Sequence, residues 1–256
     1  MAVDGELNPE VSSLQPPPHA EPDRPTLADR GMALLEVLIC SGYPTQFALA
    51  ATFAALGFAP MSGGQLNLTN VVLVSLADTA LLLGLIGVFL AVHGERAREL
   101  LLGGKPIGRE ARAGVPLALV ALVLGLGVLY TIDQLAPWLR NVPENPLQNL
   151  VRTPRDAVMF ALVVVIAGGV REEIQRAFLL QRFERWLGGG GFGVVVTSFS
   201  FGVGHIIQGF DAALTTGVLG AFWGIIYLRR RSVLAPVVSH SGFNLLQLSR
   251  ILTGGV

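Results

Sequence analysis

Charged residues are scarce in this sequence of 256 residues. Asp, Glu, Lys and Arg together make up 14% of it, whereas hydrophobic residues make up 52%, and the mean hydropathy is +0.59. Such a composition is typical of integral membrane proteins and argues against a soluble globular domain. The net charge is zero, and the basic residues are scattered at the ends of apolar runs. Nucleic acid is therefore not expected as a partner.

Cysteine is almost absent as well. The single cysteine, Cys40, lies inside an apolar run, where we expect it to pack as a small hydrophobic residue. The chain also lacks a basic segment followed directly by an apolar one at its start, so a cleaved signal peptide is not expected. Residues 1–30 contain three consecutive prolines and several acidic residues, and we predict that they form a disordered, Pro-rich tail.

Long apolar runs with few charges recur through the rest of the chain, and most are near the roughly 20 residues that cross a bilayer. They predict an all-α fold, a polytopic transmembrane bundle of about seven spans. We divide it into N-terminal transmembrane helices at residues 31–150 and a second transmembrane region at residues 151–252. The seven predicted spans are Met32–Phe58, Asn70–Val92, Ala113–Ile132, Ala157–Val170, Leu187–Phe210, Ala212–Leu228 and Ser232–Ser249.

The distribution of positive charge predicts the orientation. The connection between the second and third predicted spans is rich in basic residues, and such connections remain on the cytoplasmic side. This connection contains Arg96, Arg98, Lys105, Arg109 and Arg112. We therefore expect an integral protein of the plasma (inner) membrane with a cytoplasmic N-terminus and a polar cavity that opens to the cytoplasm.

A group of ionisable residues directly follows the fourth apolar run. Glu172 and Glu173 are adjacent, and both are within helical reach of Arg176. The helix is expected to continue past Val170 to the glycines that begin at Gly188. Charged groups at this position are costly in a membrane, so this stretch alone indicates either a functional site or an interfacial charge cluster, with Arg171, that caps the membrane. Two adjacent carboxylates in a low-dielectric site do not ionise together readily, so one of them can act as a general base.

Two histidines follow in the later apolar runs, each one helical turn from a second polar or aromatic residue. His205 is paired with Phe201, and His240 with Asn244. Counting at 1.5 Å per residue from the connecting turns puts both histidines at a depth similar to that of Glu172. A Glu and a His can together deprotonate a water, while a second His and an amide can donate hydrogen bonds to a tetrahedral oxyanion.

Other hydrolytic signatures are missing from the sequence. It has no Gly-x-Ser-x-Gly elbow, no Ser/His/Asp order and no suitably placed Cys for a covalent nucleophile. It also has no His-Glu-x-x-His string. Glu172, His205 and His240 could still supply three ligands to a catalytic zinc ion, so a zinc-dependent mechanism and a metal-independent one both remain open.

The three motifs, Glu172-Glu173-x-x-Arg176, Phe201-x-x-x-His205 and His240-x-x-x-Asn244, resemble those of the CPBP family of CAAX proteases and bacteriocin-processing proteins. The usual first motif of that family has three residues between the Glu pair and the Arg, whereas two stand here. Aligned on Arg176, Arg171 would take the place of the first Glu and Glu172 that of the second. The resemblance covers roughly residues 151–252.

This resemblance implies an intramembrane endopeptidase with a membrane-associated peptide or protein as its substrate. Glu172 would activate water together with His205, and His240 with Asn244 would stabilise the oxyanion. Glu173, Arg176 and Phe201 would support the site, unless the two carboxylates exchange roles. The family has been described both as metalloproteases and as metal-independent glutamate proteases.

Two other functions are compatible with the sequence. One is a non-catalytic membrane protein, for instance in bacteriocin immunity, that binds a peptide or lipid in the same cavity. The other is a transporter in which Glu36, Asp78 and Glu172 form a path for protons or ions. The simpler expectation for Glu36 and Asp78 is a buried hydrogen-bonded pair between the first two spans.

Overall fold

The computed structural model describes residues 25–62, 65–143 and 145–253. Nearly all of these residues lie in helices that pack as one all-α bundle, as predicted. The elements are α1 (Leu27–Ile39), α2 (Tyr43–Ala55), β1 (Met61–Ser62), β2 (Gln65–Leu66), α3 (Leu68–Val92), α4 (Ala97–Leu102), α5 (Ile107–Leu135), 3₁₀ turns at Pro137–Leu139 and Gln148–Leu150, α6 (Pro154–Val163), a π-helical segment (Val164–Arg171), α7 (Glu172–Trp186), α8 (Gly190–Val203), a 3₁₀ turn at Ile206–Gln208, α9 (Phe210–Arg230) and α10 (Leu234–Leu252). Strands β1 and β2 pair antiparallel as a minimal hairpin.

The first helix begins earlier than predicted. Residues 1–24 of the predicted tail lie outside the described residues, but α1 starts at Leu27 rather than after residue 30. Thr26 caps the helix, since its hydroxyl accepts a hydrogen bond from the Asp29 backbone while the Asp29 carboxylate accepts one from the Thr26 backbone. This reciprocal capping box satisfies two backbone donors that would otherwise lack partners.

The predicted span Met32–Phe58 consists of two helices rather than one. The helix is interrupted between α1 and α2 at Gly42. The φ of this glycine is 89°, which lies in the left-handed region that favours glycine. Apolar composition alone carries no sign of this break, because both helices are hydrophobic. The break lets α1 pack on α7 while α2 packs on α3.

Four segments of the described chain are long and apolar enough to cross a bilayer. They are Leu27–Ala55, Leu68–Val92, Ile107–Leu135 and Phe210–Arg230. The other three predicted spans fall in shorter or more polar helices. Helix α8 has 14 residues, and α10 carries a run of polar side chains that includes His240 and Asn244. These are the helices that bear the candidate site, so the polarity that lowers their hydropathy belongs to the site.

Helix α7 lies at the centre of the bundle although it is rich in charged and polar residues. Ala177, Phe178 and Leu180 are fully buried, and Arg182 is 0% exposed. The helix contacts α1, α3, α8 and α9. It ends at Trp186, before Gly188 and Gly189, both of which have positive φ, so the predicted extension of the fourth helix to the glycine run is confirmed.

We expected the fourth helix to be a regular α-helix throughout, but it is not. Residues Val164–Arg171 form eight residues of π-helix between α6 and α7. A π-helix accommodates an additional residue in each turn and is rare outside functional sites. It ends where the adjacent carboxylates Glu172 and Glu173 begin, so the direction of both side chains depends on it.

Candidate active site

Glu173 and His240 form the centre of the candidate site. The carboxylate oxygen Oε1 of Glu173 lies 2.8 Å from Nδ1 of His240 and also accepts a hydrogen bond from the guanidinium of Arg176. Glu173 is 1% exposed, and His240 and Arg176 are buried with it. A buried carboxylate requires such compensation, because an unpaired charge in a low-dielectric interior is strongly destabilising.

Glu172 differs from its neighbour in that its carboxylate makes no direct hydrogen bond among the described residues. Its side chain is 17% exposed, and it accepts no hydrogen bond from any other described residue. Its nearest ionisable neighbour is Nε2 of His240, which lies 3.8 Å from Glu172 Oε2. That distance is too long for a direct hydrogen bond and suits two groups that share an intervening molecule such as water. One imidazole therefore stands between the two carboxylates.

The ring of His240 is also fixed by aromatic residues. The indole of Trp223 stacks on it at a centroid distance of 3.8 Å, with an angle of 14° between the planes. Trp223 is held in turn by a 3.1 Å hydrogen bond from its Nε1 to Ser239 Oγ. Phe201 meets the imidazole edge-on at 6.1 Å. The imidazole therefore has a fixed plane, with Nδ1 directed to Glu173 and Nε2 to Glu172.

His205 lies at the end of α8 and does not join this hydrogen-bond network. Its Nδ1 lies 2.8 Å from the backbone oxygen of Phe201, which can only accept, so Nδ1 is the donor of this bond and Nε2 is left for another partner. The Phe201 ring separates the two histidines, at 4.8 Å from His205 and 6.1 Å from His240. Among the described residues, no hydrogen bond or ion pair links His205 to either glutamate.

Asn244 faces the π-helical segment. Its amide nitrogen Nδ2 donates a 3.1 Å hydrogen bond to the backbone oxygen of Val164. An amide has two N–H donors, so one remains for a further acceptor. The residue is one turn from His240 on α10, as predicted from their spacing.

The remaining buried charges have partners that the sequence did not predict. Glu36 and Asp78 do not pair with each other, so that expectation was wrong. Glu36 Oε2 lies 2.5 Å from Arg182 Nε, and Asp78 Oδ2 lies 2.9 Å from Arg171 Nη2. Both arginines belong to the fourth helix, which reaches between the first two spans and separates the two carboxylates.

Sequence reasoning missed two contributions to the site. Trp223 gave no signal, because a tryptophan in an apolar span is usually a packing residue. The role of the Val164 carbonyl as a hydrogen-bond acceptor depends on a π-helix that composition does not reveal. Arg176 was expected to reach either carboxylate, and it contacts Glu173 rather than Glu172.

The metal hypothesis named Glu172, His205 and His240 as ligands. The part of the chain that the structure describes contains no group of three or more His, Cys, Asp or Glu side chains placed to hold a metal ion. Glu172, His205 and His240 therefore do not lie close enough together in this structure to form a ligand set.

Comparison with known proteins supports the region that carries the site. No curated protein and no solved structure matched this chain. A protein-family model, type II CAAX prenyl endopeptidase Rce1-like, matched residues 154–246, which is 93 of the 256 residues and includes all three motifs. The resemblance predicted from those motifs is thereby confirmed. Residues 154–246 are thus similar to the Rce1-like type II CAAX prenyl endopeptidases, a family of intramembrane proteases.

Proposed function

We propose that this protein is an intramembrane endopeptidase that hydrolyses a peptide bond of a membrane-associated protein or peptide, with Glu172 as the general base. The observation that carries the proposal is the unpaired carboxylate of Glu172 beside Nε2 of a histidine whose other nitrogen is held by Glu173. A base must be accessible and free to accept a proton. Glu173 is neither, since it is buried and bonded to Arg176 and His240.

The reaction needs only water and the substrate. Glu172, assisted by His205 Nε2, removes a proton from water while the water oxygen bonds to the carbonyl carbon. The resulting oxyanion accepts hydrogen bonds from His240 Nε2–H and from the second Asn244 N–H. The C–N bond then breaks, and the proton on Glu172 passes to the leaving amine. The hydrogen bond between Glu173 and Nδ1 holds the His240 ring so that Nε2 faces the reacting carbonyl.

The position of His205 sets one condition on this mechanism. Its free Nε2 can assist the base only if substrate or water bridges from α8 to Glu172, because no direct contact joins them. Catalytic hydrogen bonds are often long without substrate and shorten when it binds. We therefore expect His205 to contribute less than Glu172 to the rate.

The orientation belongs to the same proposal. We place the N-terminus and the basic connection between α3 and α5 in the cytoplasm, and the protein in the plasma membrane. In support, Glu95 of that connection pairs with Arg182 of α7, and Glu110 in the first turn of α5 pairs with Arg230 of α9. The basic connection and these two arginines thus lie at one end of the bundle, and an excess of positive charge is typical of cytoplasmic ends. A substrate segment would enter the site from this side.

Two alternatives make different predictions. A non-catalytic binding protein is favoured by one observation, the lack of contact between His205 and Glu172. A transporter with a path through Glu36, Asp78 and Glu172 is disfavoured, because arginines neutralise the first two. A buried carboxylate in an ion pair gives up or takes a proton only at high cost.

The test is cleavage of a fluorogenic peptide library, including a prenylated CAAX peptide, by the purified protein in proteoliposomes. Glu172→Gln, Glu173→Gln and His205→Ala are compared with the wild type, each with and without chelator. Glu184→Gln is the matched control, because Glu184 is a carboxylate on the same helix that pairs with Arg231 away from the site. We expect no cleavage by Glu172→Gln and normal cleavage by the control.

Three other results would change the proposal. Cleavage retained by Glu172→Gln but lost in Glu173→Gln would exchange the roles of the two carboxylates. Loss of cleavage with chelator alone would require a metal. A folded wild type that cleaves no peptide in the library but binds one would favour the binding protein.

A further inference from the structure

The π-helical segment and α10 approach each other closely at two adjacent glycines. A Cβ atom added to Gly168 would lie 2.7 Å from Asn244 Nδ2, and the next nearest atom would be Cγ of the same side chain at 3.9 Å. A Cβ added to Gly169 would overlap the Oγ of Ser241 and would also lie 3.2 Å from the backbone Cα of that residue. The two glycines therefore differ: Gly169 lets the backbone of α10 and its serine approach, whereas the atoms near Gly168 belong only to the Asn244 amide.

The space over Gly168 is used for a specific hydrogen bond. The Asn244 nitrogen lies beside the Gly168 Cα and donates to the Val164 backbone oxygen, four residues earlier in the same π-helical segment. Glycine in a helix is less stable than alanine, so this position is not filled for helix stability. A methyl group here would push the amide away from Val164.

We propose that Gly168 is a positioning residue for Asn244. Because Gly168 has no side chain, the Asn244 amide can donate a hydrogen bond to the Val164 carbonyl. This bond fixes the plane of the amide, so its second N–H points in one direction. The inference rests on the proposed function, because the direction of that N–H matters only if Asn244 serves the oxyanion. Gly168 thus acts on the site by positioning Asn244, without a contact of its own with the substrate.

The experiment is a double-mutant cycle of Gly168→Ala and Asn244→Ala, with kcat and KM measured for the peptide that the wild type cleaves best. Removal of one oxyanion donor typically lowers kcat by about 10²–10³-fold, which is the loss expected for Asn244→Ala. We expect Gly168→Ala to lower kcat at least roughly tenfold with little change in KM, because a displaced donor loses part of the same effect. In the Asn244→Ala background, Gly168→Ala should cause no further loss, because no amide remains to be displaced. Gly127→Ala is the control, since a Cβ at this helical glycine of α5 meets no atom within 4 Å.

A second measurement needs no substrate. The melting temperature of the purified protein should rise more on Gly168→Ala in the Asn244→Ala background than in the wild type, because alanine then gains helix propensity without the clash. Equal changes of the melting temperature in both backgrounds would contradict the inferred contact between residue 168 and Asn244. This readout tests the geometry even if the wild type cleaves no peptide, so the two proposals can fail separately.

The kinetic outcomes are equally distinct. An equal fold loss from Gly168→Ala in both backgrounds would mean a general structural effect and would overturn the inference. Full activity of Gly168→Ala would overturn it while leaving the role of Asn244 intact. Full activity of Asn244→Ala would overturn both the oxyanion role and the positioning of that amide.

Discussion

Helix α7 carries two clusters of buried charge, and they differ in how completely their charges are paired. The arginine cluster consists of Arg182 with Glu36 and Glu95, and His93 also contacts Glu36. In it, each carboxylate oxygen of both glutamates has a cationic or histidine partner. In the candidate site, Glu172 accepts no hydrogen bond, and Oε2 of Glu173 is buried without one from the described residues.

The difference shows which buried charges indicate chemistry. A burial argument alone selects both clusters, because each places carboxylates where an unpaired charge would be costly. Among the described residues Arg182 Nη2 has no hydrogen-bond partner, but every carboxylate oxygen of the arginine cluster is paired, which leaves no carboxylate free to accept a proton. The candidate site keeps one carboxylate without a hydrogen bond, 3.8 Å from a histidine nitrogen. That incomplete pairing is what favours a catalytic role for the motif-bearing half of α7.

The largest expected effect separates the two clusters by activity. Glu172→Gln should lower kcat by about 10²–10⁴-fold, the typical contribution of a general base. Its melting temperature should stay near that of the wild type, because Glu172 has no hydrogen bond to lose. Glu36→Gln is the matched change in the arginine cluster. It should lower the melting temperature and leave kcat near that of the wild type. A large loss of stability in Glu172→Gln would mean that this carboxylate has a structural role.

The next effect concerns stability. Arg182→Met leaves Glu36 and Glu95 buried without their shared cation, and breaking such a pair costs about 3–5 kcal/mol. Denaturant unfolding of the purified protein measures this loss, while kcat per folded molecule should remain unchanged. Adding Glu36→Gln should recover part of the stability, because it removes one of the unpaired charges. A double variant no more stable than Arg182→Met alone would contradict this account.

The sequence was sufficient for the extent of the fourth helix, but it did not predict that His240 pairs with Glu173. Helix formers without glycine from Arg171 to Leu187 predict a continuous helix, and the glycine run predicts its end. Hydrophobic periodicity, however, gives the face of a helix and not its rotation against its neighbours. The partners of Glu36 and Asp78 depend on that rotation, which is why the predicted pair between them was wrong.

The break at Gly42, the π-helical segment and the stacking of Trp223 on His240 were also beyond the sequence. The π-helix adds a residue within a turn without any change in composition, so apolar periodicity continues through it. Stacking brings together α9 and α10 at positions 17 residues apart, and such contacts are set by packing rather than by spacing. The catalytic roles of Glu172, His205 and Asn244 stay predictions until variants are assayed.

A smaller effect is expected from the aromatic support of His240, which is closer than that of His93 in the arginine cluster, where the Trp186 ring lies 5.9 Å away and is tilted by 35°. Trp223→Phe keeps a ring over the imidazole but removes the hydrogen bond to Ser239. Aromatic pairs contribute about 0.5–1.5 kcal/mol, so we expect kcat to fall by roughly 2–10-fold with KM unchanged. A variant that loses stability but keeps the wild-type kcat would limit Trp223 to packing.

The smallest effect belongs to a third pair on α7, which is exposed where the other two clusters are buried. The hydrogen bond from Arg231 holds the pKa of the Glu184 carboxyl below its usual value of 4.5. A depressed pKa in the folded state means that the pair stabilises the fold above the pKa of the unfolded state and that this contribution is lost as the pH falls through the folded value. Unfolding of Glu184→Gln and of the wild type should therefore differ by less than about 1 kcal/mol at pH 7, and the difference should vanish in acid and shrink at high salt. A larger difference in the free energy of unfolding, or one that persists in acid and at high salt, would mean that this pair behaves like the buried clusters. Exposure would then not decide how much each of the three charge clusters stabilises the protein.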